Sequence, residues 1–436
     1  MDDARAVEPV GGPLDVTVAV PGSKSFTNRA LVCAALAEGM STLRGVLFAD
    51  DTEAMLGCLR DLGIAVDADR AAGTVVVRGC AGTVPPGPAE LDARMSGTTG
   101  RFLAPIAALG SGRYRLTGSA QLRGRPMEPA VDALRSLGVT VEEDGEPGHL
   151  PVTIEATGGL DGGRIELPGH ASSQFLSGLL LAAPAMRSGL RVDLTSELVS
   201  RPYVEMTEAC MAAFGVTVRH EDSAFVVAPS PYRGTGYAIE PDASAASYFF
   251  AAAAICGGRV RVEGLGGDTV QGDLRFVEIL REMGAEVEVT DGWTEVRGTG
   301  TLRGVTVDLA DLSDTAPTLA VVAACAEGET RVTGIGFIRK KETDRIAAVV
   351  TELRRCAVDA EEHNDGFVVR PSPAGPHGAR IETYDDHRMA MSFAVLGLRV
   401  PDMAIVDADC VAKTFPSFFE VLGSLRVGSA PSVPEG

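Results

Sequence analysis

The stretch Leu59-Arg-Asp-Leu-Gly63-Ile-Ala-Val66 returns with little change as Leu134-Arg-Ser-Leu-Gly138-Val-Thr-Val141, Met211-Ala-Ala-Phe-Gly215-Val-Thr-Val218 and Leu280-Arg-Glu-Met-Gly284-Ala-Glu-Val287. A weaker copy stands at Leu353-Arg-Arg-Cys-Ala357-Val358, and a truncated one at Val421-Leu-Gly423. Each clear copy reads as the end of an amphipathic helix. The glycine closes the helix in a left-handed conformation that costs it nothing, and alternating apolar residues then begin a half-buried strand. Turn-rich stretches such as Asp144–Gly148 and Arg219–Ser223 lead on to a second short strand, for example Ala224-Phe-Val-Val-Ala228.

A second ladder interleaves with the first. Small or polar residues precede long Ala/Leu-rich segments near Ser25, Thr98, Ser173, Ser244, Asp314 and Asp386, with successive gaps of 73, 75, 71, 70 and 72 residues. Ser, Thr and Asp suit helix starts because their side-chain oxygens accept from the unpaired first-turn amides. Any α/β protein starts helices with Ser or Asp, but six copies at near-constant spacing imply a repeat architecture. The expected fold is α/β, with six βαβαββ units of about 70 residues in two groups of three. At 436 residues the chain also exceeds what one hydrophobic core usually supports.

The boundary falls in Tyr232–Asp242, between the third and fourth units, where Gly and Pro give a linker-like stretch. A two-strand hinge at this point requires the N-terminal strand, Leu14–Val20, to return to the other half. One half is then discontinuous, and residues after about 426 read as a frayed tail.

Composition narrows the function. The eight cysteines, Cys33, Cys58, Cys80, Cys210, Cys256, Cys325, Cys356 and Cys410, form no CxxC pair and no compact His/Cys spacing, so neither a metal site nor a disulfide framework is expected. A reduced cytoplasmic setting is the simpler reading. Met1-Asp2-Asp3-Ala4-Arg5 lacks the layout of a secretory signal, and the apolar run Phe175–Met186 is too short to span a bilayer. A formal charge of −20 argues against nucleic-acid binding. The 39 basic residues are informative by position: an anionic substrate requires them to be concentrated locally against the global sign.

Several helix starts carry residues suited to anions. In Pro21-Gly-Ser-Lys24-Ser25-Phe-Thr-Asn-Arg29, Ser25 and Arg29 are four apart and share a face beside a terminus whose amides and dipole favour an anion. The spacing is not that of a P-loop, and alone it reads as readily as a solvated cap. Ser96-Gly97-Thr98-Thr99-Gly100-Arg101 and His170-Ala-Ser172-Ser173-Gln174-Phe175 offer backbone access and short hydrogen bonds, and Arg125 precedes a further helix. In Lys340-Lys341-Glu342-Thr343-Asp344-Arg345, Lys341 and Arg345 are four apart, so one helical turn would present two cations around a carboxylate. By itself that segment reads as an exposed ion-pair face. His387, beside Asp385 and Asp386, reads either as a proton carrier or as a residue of a capping region. Lys413 follows in Ala412-Lys413-Thr414-Phe415-Pro416.

Taken in order, PGSKSxxNRA, SGTTGR, RPM, SSQF, SRPY, SDTAPT, KETDR, DDHRMAM and AKTFP run through about residues 8 to 425. The set closely resembles the 5-enolpyruvylshikimate-3-phosphate synthase family. The resemblance implies a two-domain inverted α/β barrel-like fold closing around the substrates, with the site in the interdomain cleft and a hinge near Val20–Gly22 and Glu240–Asp242, so the expected domains are 1–21 plus 241–436, and an inserted domain over 22–240. It also implies no cofactor, and a monomer is expected. Shikimate 3-phosphate would be held by Lys24, Ser25, Arg29, Ser172, Ser173, Gln174, Ser200, Asp314 and Lys341, with Tyr203 nearby. Phosphoenolpyruvate would meet Lys24, Gly97, Arg125, Gln174, Arg345, Arg388 and Lys413. The implied reaction is addition followed by elimination through a tetrahedral ketal phosphate. Asp314, Glu342 and Lys24 would move protons, and Lys413 and His387 would assist departure of phosphate.

Two positions depart from the family pattern. Met95 and Phe337 stand where many members carry Asn, which leaves open a paralog with a different hydroxyl acceptor. A UDP-N-acetylglucosamine enolpyruvyl transferase would need a reactive loop cysteine, and no Cys lies between Cys80 and Cys210. A binding-only paralog has no need for the acid/base groups that the chain keeps.

Overall fold

The computed structural model describes residues 4–426; the tail expected beyond Arg426 lies outside them. The chain divides into two compact units, one running over 22–240 and the other formed by residues up to Pro21 together with those from Pro241 onward. Each unit has its own hydrophobic core: Phe26 to Ile239 in the first, Val7 to Leu425 in the second.

One sheet pattern recurs throughout. In the 22–240 unit, Ala89–Asp92 pairs parallel with Ser111–Thr117, which pairs antiparallel with Val152–Thr157, which in turn carries Thr140–Glu143 on its far edge. The sheet of Gly163–Leu167, Leu190–Leu194, Ala224–Val227 and Arg219–Glu221 repeats this order, as does that of Gly236–Ala238, Met40–Arg44, Thr74–Arg78 and Ala65–Asp69. The other unit contributes two four-stranded sheets and one of three strands.

Two exchanges complete the sheets. Leu14–Val18 precedes the first helix in the chain yet pairs parallel with Gly258–Glu263, whereas Gly236–Ala238 precedes the fourth unit's helix yet pairs with Met40–Arg44. Each crossing therefore delivers a strand to the sheet of the unit that the chain is leaving or re-entering. The sixth repeat, Arg380–Ile381 to Met403–Val406, has no hairpin of its own. Ala4–Val7 from the start of the chain pairs antiparallel with Met403–Val406 and supplies the missing strand.

The glycine ladder appears as read. Gly63, Gly138, Gly215 and Gly284 have φ of 80°, 83°, 87° and 116°. In each copy the following residue's amide donates back to the carbonyl five positions earlier, as in Ile64 to Leu59 and Ala285 to Leu280. Ala357 adopts the same left-handed conformation without glycine's freedom, at φ 56°, and Val358 closes the same bond to Leu353. The truncated copy differs: Gly423 lies inside the helix Phe418–Ser424, which continues past it. Arg219–Glu221 differs as well. It is a strand paired with Ala224–Val227 across Asp222 and Ser223, because the left-handed Asp222 confines the turn to two residues.

The helix starts lie within a residue or two of the second ladder. The capping side chains are mostly one or two residues upstream: Ser23, Ser96, Ser172, Asp242 and Asp386 accept from Phe26, Thr99, Gln174, Ala245 and Arg388 amides. The helices they start, such as Ala243–Cys256, are buried almost all round, while outer helices such as Phe276–Met283 bury one stripe. None of the described helices is long and apolar enough to cross a membrane.

The pairing of Leu14–Val18 with Gly258–Glu263 depends on a close backbone approach. A Cβ on Gly258, at φ +82°, would lie 2.1 Å from the Leu14 carbonyl oxygen, whereas one on Gly257, at φ +80°, would meet open space. Gly257, at ψ 168°, lies in a region that essentially only glycine adopts, so Gly257→Ala is expected to cost about 2 kcal/mol of backbone strain, and Gly258→Ala, which adds the overlap with Leu14, about 4 kcal/mol or more. Urea midpoints measure both, and equal losses would contradict a steric role for Gly258.

Candidate active site

In the 22–240 unit the first turns of three helices, Lys24–Leu36, Gly97–Ala107 and Ser173–Ala182, are linked through side chains. Lys24 Nζ lies 3.3 Å from the buried Asp51 carboxylate, and the Asp51 carbonyl accepts from Thr99 Oγ1. Gln174 Nε2 donates to Thr98 Oγ1 at 3.3 Å, and Gln174 Oε1 accepts from Arg101 Nη1 at 2.6 Å. Arg101 also donates to the Pro126 carbonyl, next to Arg125. A Cβ on Gly97 would lie 2.9 Å from Arg125 Nη1, so only glycine lets this guanidinium approach the start of the helix. Lys24, Gly97, Arg125 and Gln174 are thus brought together.

Arg29 has a bracing part in the structure. It is 2% exposed and donates to the Ser25 and Tyr203 carbonyls and to the Thr207 and Ser177 hydroxyls, fastening Lys24–Leu36 to Arg201–Ala213. Burial lowers its pKa to about 10. Ser172 caps its helix, Ser173 is buried one residue on, and Ser200 holds a left-handed conformation at φ 53° immediately before Arg201–Ala213.

The other unit gathers the denser charge. Asp314 lies in the short turn Ser313–Thr315. Its Oδ1 is 2.5 Å from Lys341 Nζ and 3.1 Å from Arg345 Nη1, and its Oδ2 is 2.6 Å from Arg388 Nη2. Glu342 lies between Arg345, at 2.8 Å, and Lys413, at 3.3 Å. Asp386 accepts from Arg345 Nε at 2.7 Å and from the Arg388 amide, and His387 Nδ1 is 3.7 Å from its carboxylate.

Two readings of the KKETDR segment are corrected. It is no exposed ion-pair face, since the Arg345 and Glu342 side chains are 1% and 8% exposed. Nor do Lys341 and Arg345 share a helical turn. Asp344 caps the Ala347 amide, so the helix Arg345–Arg355 begins only at Arg345, and a 3₁₀ turn ends at Lys340. Tertiary packing rather than helical spacing brings both cations to Asp314.

Burial opposes charge throughout this cluster. It lowers the pKa of Lys341, with Asp314 acting in the opposite sense. For Arg345 burial again opposes ionisation, but Asp386, Glu342 and Asp314 outweigh it and hold the pKa above the ordinary value. Phe337 packs against the core, and its ring centroid lies 5.7 Å from Lys341 Nζ, so the apolar residue at this position faces a cation.

Sequence reading passed over Asp51, Arg101 and Asp273. Arg101 stands inside a quoted motif, where its place four residues after Gly97 was the available signal. Asp273 carried none: it is buried in the turn Gly272–Arg275 and accepts from Ser244 Oγ, and only the fold sets it near Asp314. Among the described residues no group of three or more His, Cys, Asp or Glu side chains comes together that could hold a metal ion.

Among solved structures, the chain resembles an EPSP synthase from Acinetobacter baumannii, with a TM-score of 0.80 and 30% identity over 96% of this chain and 97% of that one. The enolpyruvyl transferase NikO from Streptomyces tendae shares the fold, with a TM-score of 0.77 and 19% identity over 98% of both chains. The architecture is that of the enolpyruvyl transferases. Within that class the family profile for EPSP synthase (3-phosphoshikimate 1-carboxyvinyltransferase) matches residues 9–422, and the chain belongs to this family. A 3-phosphoshikimate 1-carboxyvinyltransferase from Trichormus variabilis is 44% identical over 96% of this chain and 98% of its own length. One from Laribacter hongkongensis is 45% identical over 94% and 96%.

Asp273 supplies a pH test. Burial first, and then the charge of Asp314, push its carboxyl up to about 6. A carboxyl that ionises less readily in the folded chain than in the unfolded one makes folding less favourable as pH climbs through that range. In Asp273→Asn the amide oxygen still accepts from Ser244. The variant's urea midpoint is therefore expected to rise relative to the parent's between about pH 4 and about pH 7. A constant difference, or one that moves towards the parent, contradicts the burden assigned to Asp273.

Proposed function

We propose that both groups of side chains serve one reaction, transfer of the enolpyruvyl group from phosphoenolpyruvate to the 5-hydroxyl of shikimate 3-phosphate with release of phosphate. Family membership supports the reaction, and the Asp314 cluster is the observation that carries the assignment of residues. Two multiply charged anions need several cations held in place before they arrive, and Lys341, Arg345, Arg388 and Lys413 are held by carboxylates rather than left to solvent.

In this reading Lys24, Ser25, Arg29, Ser172, Ser173, Gln174, Ser200, Tyr203, Asp314 and Lys341 receive shikimate 3-phosphate. Lys24, Gly97, Arg125, Gln174, Arg345, Arg388 and Lys413 receive phosphoenolpyruvate. The acceptor oxygen bonds to C2 of phosphoenolpyruvate while a proton reaches its methylene carbon, giving the ketal phosphate. Loss of a proton from that methyl group then re-forms the double bond as phosphate leaves. Asp314, Glu342 and Lys24 carry the protons, and Lys413 and His387 steady the departing phosphate. A monomer in the cytoplasm belongs to the same proposal.

Phosphate release from the purified chain is expected only when phosphoenolpyruvate and shikimate 3-phosphate are both present. Release that needs another hydroxyl compound would instead favour the changed acceptor suggested by the apolar Phe337. Binding of either ligand without release would favour a binding-only paralog. Glu342→Gln and Asp314→Ala are each expected to lower turnover roughly 100-fold or more. Full turnover in either variant removes that residue from the proton path.

A further inference from the structure

The helix Arg345–Arg355 meets the segment 382–388 at two places, and only one of them belongs to the Asp314 cluster. At its first residue Arg345 binds Asp386. Two turns further on, Glu352 is fully buried. Its Oε1 accepts from the Tyr384 hydroxyl at 2.6 Å and its Oε2 from the Glu382 amide at 3.1 Å, with Arg355 Nε 3.5 Å away. A buried carboxylate is costly to keep, so this one calls for a reason.

The segment it holds is strained. Tyr384 and Asp385 are consecutive non-glycine residues in the left-handed region, at φ 56° and 55°. Such a conformation persists only where the surroundings impose it. Directly after it come Asp386, which holds Arg345 and caps the next helix, then His387, then Arg388, whose guanidinium reaches Asp314. Tyr384 is 39% exposed, yet its hydroxyl turns inward to Glu352. Neither Glu352 nor Tyr384 belongs to the residues assigned to substrate or proton transfer.

We propose that Glu352 and Tyr384 are positioning residues: together they hold the left-handed turn that sets Asp386, His387 and Arg388 in register with Asp314. This rests on the reaction proposed above, because Arg388 is taken to bind phosphoenolpyruvate. In Glu352→Gln one oxygen still accepts from the Glu382 amide, but the NH2 group meets the Tyr384 hydroxyl only if that hydroxyl turns to accept, and Arg355 loses its carboxylate, so the clasp is weakened; Tyr384→Phe removes the hydroxyl outright.

The test compares the full chain with Tyr384→Phe, Glu352→Gln and the double variant. It measures kcat, KM for each substrate, the folded fraction, and amide exchange over 383–389. Each single variant is expected to lower kcat about 10-fold, a modest displacement of a reacting group being enough for such a loss. KM for phosphoenolpyruvate should rise, KM for shikimate 3-phosphate should stay close to the parent's, and exchange should quicken at the start of the His387–Gly397 helix. The double variant should be no worse than the poorer single, since both changes release the same turn. Parental kinetics in both singles, or activity that merely follows a reduced folded fraction, overturns the proposal. If the parent itself transfers nothing, the reaction assigned above fails. The exchange measurement then decides the turn's dependence on Glu352 and Tyr384: unchanged protection over 383–389 overturns it, and faster exchange confined to that segment upholds it.

Discussion

A guanidinium removed from water must find an acceptor for nearly every N–H it carries, and Arg345 finds three carboxylates. Its Nε and Nη2 meet Asp386, Nη1 meets Asp314 and Nη2 also meets Glu342, with 1% of the side chain exposed. Breaking such a buried set strands a charge at a cost of several kcal/mol, so its members keep their relative places. The consequences extend outward. Asp314 held by Arg345 is placed for Lys341 and Arg388, Glu342 for Lys413, and Asp386 for the first turn of His387–Gly397.

The repeat architecture makes that convergence possible. A capped helix start places a polar residue where the apolar helix behind it anchors it, and such starts recur in both units, although the one at Asp314 is a 3₁₀ turn that no side chain caps. Their capping serines and aspartates are ordinary helix chemistry. Around the helix starts in the second unit, ordinary caps give way to a charge network: Asp386 caps an amide and binds Arg345 at once, and Asp314, in a 3₁₀ turn, turns its carboxylate to three cations. The 22–240 unit uses a sparser mixture of charged and neutral groups: Lys24 with Asp51, Gln174 between Arg101 and Thr98, and the glycine that admits Arg125.

Strand exchange is the less local part of the design. Leu14–Val18 completes a sheet begun more than 200 residues later, and Ala4–Val7 completes the last one. The units are therefore closed by segments that no repeat contains within itself. The return of Leu14–Val18 was legible, because a two-strand hinge demands it. The reciprocal strand Gly236–Ala238 and the repair of the sixth sheet were not, since short strands with few apolar residues give little periodic signal.

The sequence by itself determined what depends on neighbours within a few residues: left-handed glycines closing helices, polar caps opening them, apolar segments burying them, and the sixfold spacing that makes the whole an α/β repeat protein. Its motifs also marked most of the polar residues that cluster at the helix starts. Only the tertiary structure decided which charges meet. The contacts of Arg345 with Asp314 and Asp386 and of Arg388 with Asp314 span 31, 41 and 74 residues, and Asp273, Glu352 and Tyr384 join them without any motif of their own. Periodicity and capping act along the chain, whereas an ion pair depends on distance and burial in space, and those exist only after the helices have packed.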